Sequence, residues 1–387
     1  MMKHFYLSMA VLMSYLFYSH ESKVVEEVSR MIFRGLVNFS NVSKGLVGIE
    51  SRAEKIMSKL CIGLDKVCFL GIHGMGGIGK TTLSKFIYER VSHQFEASCF
   101  IASIREKTRT DYDLVYLQKQ LIYEILLDRE INIWNSYEAT NVIANRLRNK
   151  KVFLVLDDVD GEKQLKALAE SHDWFGQGSR IIITSRDHHL LKRFVDITYD
   201  VNMLNYAEAL QLFSLKAFKK PRPEENYVQL SKDIVNYAQG LPLALEVFGS
   251  LLFGSTMKEW KSARDLLKEN PNAEILDKLK ISYDGLEDWQ QKLFLDIACF
   301  FNGANIGCIQ HKLEGLGYHP IIDIEVLEDK SLITISEYRT LRMHNLLRKM
   351  GQKIVHDESA EPGKRNRLCD DKDAIHVLKN DTVSGLV

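Results

Sequence analysis

The sequence predicts an α/β fold built on a parallel sheet, followed by a helical bundle and a winged-helix domain. Three observations predict it. A Gly-rich loop, GMGGIGKTT (Gly74–Thr82), follows directly on the apolar run Val67–His73. From Val67 to about Val201, apolar runs alternate with helical patterns, the signature of a parallel sheet covered on both faces. After about Asn205 the strand signal stops, periodic helices take over, and a short hairpin pattern comes last.

Along the chain, Phe5–Ser19 carries no formal charge and is preceded by Lys3. It is short for a membrane span, which needs about 20 residues. Its length suits the apolar part of a signal peptide, but Tyr18-Ser19-His20 is a poor cleavage site. A signal peptide, a membrane anchor and a buried or spliced-on leader all stay open. Val24, Val25, Val28, Ile32 and Phe33 share one face of a short helix, and a Gly/Asn/Ser-rich loop follows it. Leu46–Arg52 then leads into an amphipathic helix ending near Leu60. Strands are expected at Val67–Ile72, Ser98–Ser103, Lys151–Leu156, Arg180–Thr184 and Thr198–Val201. Helices are expected at Tyr206–Phe218, Tyr227–Ala238 and Leu241–Phe253, with Pro221 and Pro223 parting the first two and Gly240 stopping the second. Further helices, Ile275–Tyr283 and Trp289–Phe301, precede a hairpin of Ser331–Ile335 and Thr340–Met343 around Glu337–Arg339. No internal repeat of solenoid type is present.

The loop GMGGIGKTT matches G-x-x-x-x-G-K-[ST], with Gly74, Gly79, Lys80 and Thr81 in the fixed places. A tight turn between strand and helix aims backbone N–H groups inward, and the helix dipole adds positive potential. Gly76 and Gly77 let the backbone approach a phosphate without a Cβ in the way. The loop Gly74–Thr82, including Met75, Ile78 and Thr82, is therefore a candidate phosphate cradle of an α/β P-loop NTPase. Lys80 would reach the β- and γ-phosphates, and the Thr81 hydroxyl would hold Mg²⁺. Leu83, Phe86, Ile87 and Val91 supply the amphipathic run that should follow.

KVFLVLDD (Lys151–Asp158) is an apolar strand ending in two carboxylates. Asp157 would hold Mg²⁺ through water, since Mg²⁺ keeps several waters. Asp158 would sit nearer the γ-phosphate and orient or deprotonate the attacking water, making it the candidate catalytic residue. RIIITSRD (Arg180–Asp187) delivers Arg186 to an edge of the same sheet, where a guanidinium can sense the γ-phosphate.

Composition narrows the partners. The 387 residues hold 51 Lys+Arg and 51 Asp+Glu, so no global charge favours nucleic acid or an anionic membrane. The six cysteines, Cys61, Cys68, Cys99, Cys299, Cys308 and Cys369, show no C-x-x-C pair and no zinc spacing, which reads as buried reduced thiols in a cytosolic protein. On that reading the sequons at Asn38, Asn41 and Asn380 are incidental.

Taken together, these motifs resemble the NB-ARC domain of plant intracellular immune receptors (NLR disease-resistance proteins) from about Val42 onward. LVGIESR (Leu46–Arg52) looks like the family's adenine-side opening segment, which brings Val47 to the nucleotide. GMGGIGKTT is similar to its Walker A loop, LVLDDVD (Leu154–Asp160) to Walker B, GSRIIITSRD (Gly178–Asp187) to the sensor strand and GLPLAL (Gly240–Leu245) to the GLPL motif. FLDIACFF (Phe294–Phe301) resembles a later helix, and LRMHNLL (Leu341–Leu347) stands where the family has Met-His-Asp. Asp160 and FLDIACFF point to the subclass that carries a TIR domain, and His20–Leu36 resembles the last TIR helix and its linker. The rest of a TIR domain is absent, so its NAD-cleaving activity does not carry over.

The resemblance implies a leader at 1–19, a TIR remnant at 20–41 and a nucleotide-binding domain at 42–204. A helical ARC1 domain at 205–271, a winged-helix ARC2 domain at 272–358 and a linker at 359–387 follow. It implies ADP/ATP and Mg²⁺ as ligands, with Pro242 near the adenine and His344 on the β-phosphate of ADP. It also implies a cytoplasmic switch in plant defence, ADP-bound off and ATP-bound on, with at most slow hydrolysis. Partners would be other NLR receptors or a second copy, with no nucleic acid; a membrane is disfavoured but left open by Phe5–Ser19. Asn345 departs from the family's Asp, which removes a charge and implies a loosened off state. Three rivals stand beside this reading. An ATPase motor would want a longer base than Asp158, a truncated adaptor or decoy would act through complete receptors, and a winged-helix DNA binder would need a basic face that Arg342, Arg348 and Lys349 barely begin.

Overall fold

The computed structural model describes residues 45–108, 110–126, 133–269, 272–369 and 371–380. Phe5–Ser19, the short helix at Val24–Phe33 and the sequons at Asn38 and Asn41 lie outside them. Among the described residues, no helix is long and apolar enough to cross a membrane.

The first described helix, α1 (Ile49–Leu60), buries Ala53, Ile56 and Leu60. Five parallel strands follow: β1 (Cys68–His73), β2 (Ala97–Ile101), β3 (Val152–Val159), β4 (Arg180–Ser185) and β5 (Ile197–Asp200), in the order β2-β3-β4-β1-β5. The connections carry α2 (Lys80–Val91), the one-turn α3 (Ile104–Lys107), α4 (Asp111–Leu126), α5 (Ser136–Leu147), α6 (Glu162–Leu168) and α7 (His188–Phe194).

Strand side chains alternate between two cores, as the period of 2 requires. Phe153, Val155 and Ile182 face the core containing α1 and α2. Leu154, Leu156, Ile181 and Ile183 face the core containing α4, α5 and α6. Both faces are covered, so the strands read as unbroken apolar runs. Arg180, 1 % exposed at the start of β4, ends α1 by donating to the carbonyls of Leu60 (2.5 Å) and Cys61 (2.5 Å), part of a helix C-terminus that would otherwise lack donors.

Helices α8 (Tyr206–Phe218), α9 (Val228–Ala238), α10 (Pro242–Leu252) and α11 (Met257–Glu269) form the next layer. Asn205 and Glu208 make a reciprocal capping box for α8, and Pro242 opens α10 at its first turn, where a missing N–H costs nothing. Trp260 lies at its centre, stacked on Phe218 (5.3 Å) and edge-on to Tyr227 (4.9 Å), with its Nε1–H bonded to the Leu252 carbonyl (3.1 Å).

The last layer holds α12 (Ala273–Asp284), α13 (Asp288–Asp296), α14 (Ile306–Gly315), α15 (Pro320–Asp329), the hairpin β6 (Thr334–Ile335)–β7 (Leu341–Arg342), α16 (Asn345–Asp357) and α17 (Asp371–Asn380). The expected helix Trp289–Phe301 is divided: after Asp296 the chain widens into a π-turn, Ile297–Phe301. That turn meets α16 closely. A Cβ on Gly351 would lie 2.6 Å from the Cβ of Ala298, and Arg348 Nε donates to the Ala298 carbonyl (3.2 Å). The hairpin strands are shorter than their apolar runs because only Thr334–Arg342 and Ile335–Leu341 pair.

The expectation of six buried reduced cysteines is corrected. Cys299 and Cys369 form a disulfide with Cα atoms 4.8 Å apart, and Cys61 and Cys308 are exposed. The pair is separated by 70 residues, so spacing carried no sign of it. Folding brings it together: Arg367 pairs with Asp296 and donates to the Lys292 carbonyl (3.1 Å), which lays the segment after α16 beside the π-turn.

Candidate nucleotide-binding site

The site forms at the carboxyl ends of the strands, where an open α/β sheet leaves a crevice. Strand β4 lies between β1 and β3, so the loops after all three strands meet there. Gly76, Gly77, Gly79, Lys80, Thr81, Thr82, Asp157, Asp158, Arg186 and Pro242 line one cavity of about 440 Å³. Met75 and Ile78 turn into the core and hold the loop from beneath. Gly74, Gly77 and Gly79 adopt φ of 150°, 79° and 98°, values that L side chains resist.

Lys80 is buried, and its Nζ donates to the carbonyls of Gly74 (2.5 Å) and Met75 (3.0 Å). Burial, reinforced by the nearby Arg186 guanidinium, brings its pKa down from 10.5 to about 7. The Thr81 hydroxyl meets both oxygens of Asp157 (2.9 and 3.1 Å). Thr184 Oγ1 donates to Asp157 (2.7 Å) and accepts the Asp158 N–H (2.8 Å). Burial raises the pKa of Asp157, against those two hydroxyl hydrogen bonds. A hydroxyl beside a carboxylate, both oxygen donors at the mouth of a phosphate loop, suits Mg²⁺.

Two consecutive acids on a regular strand would point to opposite faces. Here the register of β3 against β4 shifts between Leu156 and Val159, and Asp158 sits at φ 57°. The irregularity re-aims the chain so that both acids reach the cavity. Asp158 is held by Arg105, whose Nε and Nη2 both donate to Oδ2 (2.9 and 2.7 Å). Arg186 Nε is 3.7 Å from Oδ1, while Arg186 Nη1 donates to the Lys278 carbonyl on α12 (2.8 Å). Because β4 is an inner strand, Arg186 stands at the carboxyl rim of the sheet, facing the last layer.

Later layers close over the loop. Leu243 N–H donates to the Gly77 carbonyl (3.1 Å), and Pro242, Glu246, Lys278 and Ile281 complete the cavity wall. A second tie lies at the end of β1. His73 Nδ1 contacts Asp200 (2.8 Å), and its Nε2 contacts the Asp329 carbonyl (3.1 Å) at the end of α15 and Ser331 Oγ (2.8 Å) just after it. Lys330 pairs with Asp187 (3.1 Å) beside it.

Besides Gly74, Met75 and Ile78 of the loop itself, two expected ligands lie outside the cavity lining. Val47 packs on the core ahead of α1. His344 caps α16, its Nδ1 accepting the Leu346 N–H (3.2 Å). Its buried Nε2 faces the backbone of Ala238 and Gln239 without a well-formed hydrogen bond, and burial lowers its pKa from 6.5 to about 4. Gln239 Oε1 accepts the Asn345 N–H (2.8 Å). His344 thus sits against Gln239 at the start of the segment that leads to Leu243 and the P-loop, and does not itself line the cavity. Sequence reasoning missed Arg105, His73 and the wall from α12. A cation just beyond β2, at the rim where the other motifs end, was the available sign of Arg105.

Comparison with known proteins agrees with this architecture. The model of the NB-ARC domain matches residues 49–222, and that of the Roq1-like winged-helix domain of disease resistance proteins matches residues 287–359. TMV resistance protein N of Nicotiana glutinosa is 43 % identical over 93 % of this chain and 31 % of its own length. Disease resistance protein RUN1 of Vitis rotundifolia is 42 % identical over 93 % of this chain and 27 % of its own. The chain thus spans under a third of the length of these relatives. In fold, the Walker-type ATPase of Pyrococcus abyssi superposes with a TM-score of 0.50 at 15 % identity, over 80 % of this chain and 97 % of the other. A P-loop with both strand-end acids beside it, joined to helical and winged-helix layers and matched by both models, gives this chain an NB-ARC domain followed by a Roq1-like winged-helix domain, similar to the corresponding stretch of the disease resistance proteins above.

Proposed function

We propose that this chain is the nucleotide switch of a plant immune receptor system: closed with ADP, open with ATP, and at most a slow ATPase. One observation carries the reading. The cavity wall is shared by the P-loop, by Pro242 and Glu246 of α10 and by Lys278 and Ile281 of α12, so a ligand held there would join three layers of the molecule. Such a ligand acts as a latch, because each layer it touches gains affinity for the others.

In this reading residues 42–204, 205–271 and 272–358 are the nucleotide, ARC1 and ARC2 domains. Gly76, Gly77 and Gly79 present backbone donors to the phosphates, and Lys80 leaves the carbonyls of Gly74 and Met75 to meet them. Thr81 and, through water, Asp157 would hold Mg²⁺, which would neutralise phosphate charge. Asp158 orients the water of a slow hydrolysis, and Arg186 reads the γ-phosphate. Pro242 offers an apolar face to the nucleotide, and His344 acts on the closed form through 239–243. The same reading puts the protein in the cytoplasm, with other disease resistance proteins or further copies as partners in the open form.

Lys80→Ala should abolish ADP binding in titration calorimetry, and wild-type affinity in that variant would remove the site. ATP turnover above about 1 per second, in the range of ordinary enzymes, would favour a motor over a switch.

A further inference from the structure

We propose that Arg105 is a second γ-phosphate-reading residue, which exchanges the Asp158 carboxylate for the γ-phosphate and so couples ATP recognition to release of Asp158. The inference rests on the nucleotide reading of the cavity. Arg105 lies on α3, entered through Ser103 at φ 54°, which turns the chain off β2 toward the strand ends. Its side chain is 16 % exposed and lines the cavity beside Lys80 and Thr81.

Two of its donors go to one oxygen. Asp158 Oδ2 receives Nε at 2.9 Å and Nη2 at 2.7 Å. A carboxylate oxygen has two lone pairs. Two guanidinium donors fill them, leaving no place on Oδ2 for a water to give up a proton. Arg186 does not take over this task. Its Nε is buried without a hydrogen bond, and its Nη1 is committed to the Lys278 carbonyl at 2.8 Å. The Asp158 backbone is pinned by Thr184, so the carboxylate cannot follow a departing guanidinium far.

A γ-phosphate entering this cavity brings more negative charge and more acceptor oxygens than one carboxylate, and it fits the planar fork of an arginine. Arg105 gains by moving to it. ADP lacks the phosphate that would draw Arg105 away and leaves the pair with Asp158 intact. Arg105 therefore discriminates between the two nucleotides, and the Oδ2 oxygen of Asp158 is freed only when the γ-phosphate is present.

The test is calorimetry on the full chain with Mg²⁺, using ADP and the non-hydrolysable β,γ-imido analogue of ATP. Arg105→Gln should weaken the analogue about tenfold or more and change ADP less than threefold, with Arg105→Lys recovering part of the loss. Asp158→Asn should tighten the analogue severalfold, and most of that gain should vanish in the Arg105→Gln background, since the gain reflects an arginine freed in advance. Equal weakening of both nucleotides would show a structural role and overturn the inference. So would no weakening of either, or the same Asp158→Asn gain in both backgrounds. If the wild type binds neither nucleotide, the nucleotide reading itself fails, a result distinct from any of these.

Discussion

Nucleotide binding should be coupled to proton uptake at Lys80. The buried Lys80 ammonium has a pKa near 7, because burial outweighs the two backbone carbonyls it meets and the nearby Asp157 and Asp158 carboxylates. A phosphate anion against Nζ restores the charged form, so the bound complex keeps the proton across the neutral and mildly alkaline range. With a free-state pKa of about 7, roughly nine-tenths of the protein lacks this proton at about pH 8, and binding there takes up about 0.9 proton. Affinity should then fall about fivefold from about pH 7 to 8, and about fiftyfold from about pH 7 to 9. The terminal phosphate ionises near pH 6, so the nucleotide itself exchanges little proton in that window. The assay is calorimetry at about pH 8 in two buffers of different ionisation enthalpy, whose difference in apparent heat gives the proton count. Lys80→Arg, charged throughout, should bind with a flat pH profile. Buffer-independent heats with nucleotide fully bound would refute the argument.

Three further outcomes are expected. Gly240 sits at φ 78°, and a Cβ there would lie 2.3 Å from the Leu204 carbonyl oxygen. Gly240→Ala should therefore cost about 2–4 kcal/mol, summing left-handed strain and overpacking, and an unchanged urea midpoint would count against this. His344 has its pKa lowered by burial to about 4, so its contribution is present above the unfolded pKa of 6.5 and is lost as pH falls toward 4, about 3 kcal/mol in full. Melting curves of wild type and His344→Asn should converge between about pH 7 and 5, and parallel curves would contradict it. Asn345 is the first residue of α16, where a carboxylate gains about 0.3–1 kcal/mol from the helix N-terminus. Asn345→Asp should tighten the winged-helix contact and slow ADP release in stopped flow; equal off-rates in the two proteins would show that Asn345 does not loosen the closed state.

The strands and the phosphate loop were legible because their causes are local. A strand covered on both faces carries an unbroken apolar run, as Val152–Leu156 of β3 and Ile181–Ile183 of β4 do, and a loop needing positive φ must spend glycines, as Gly74, Gly77 and Gly79 do. The α8 boundaries were equally plain, since Asn205 and Glu208 form a cap within four residues of one another. The π-turn after Asp296 was not, because apolar periodicity continues through a one-residue widening. Nor was the Cys299–Cys369 bridge, which depends on where Arg367 finds Asp296.

By itself, then, the sequence determined the ligand class and the order of the layers: GMGGIGKTT, the two acids of Walker B and the switch from strand to helix near Asn205 each act within a few residues of themselves. Which residues share the cavity was decided only in three dimensions. Strand β4 enters between β1 and β3, so Arg186 arrives between the P-loop and the two acids, and the β3 irregularity turns Asp158 toward Arg105 from a different strand. Leu243 reaches Gly77 and His73 reaches Ser331 across intervals no local pattern spans. His344, expected on the phosphate by resemblance, caps α16 beside Gln239, a placement no local pattern announces. The physical reason is the range of the forces involved. Backbone sterics and burial period are written residue by residue, whereas a shared carboxylate or a buried histidine has its partners chosen by packing.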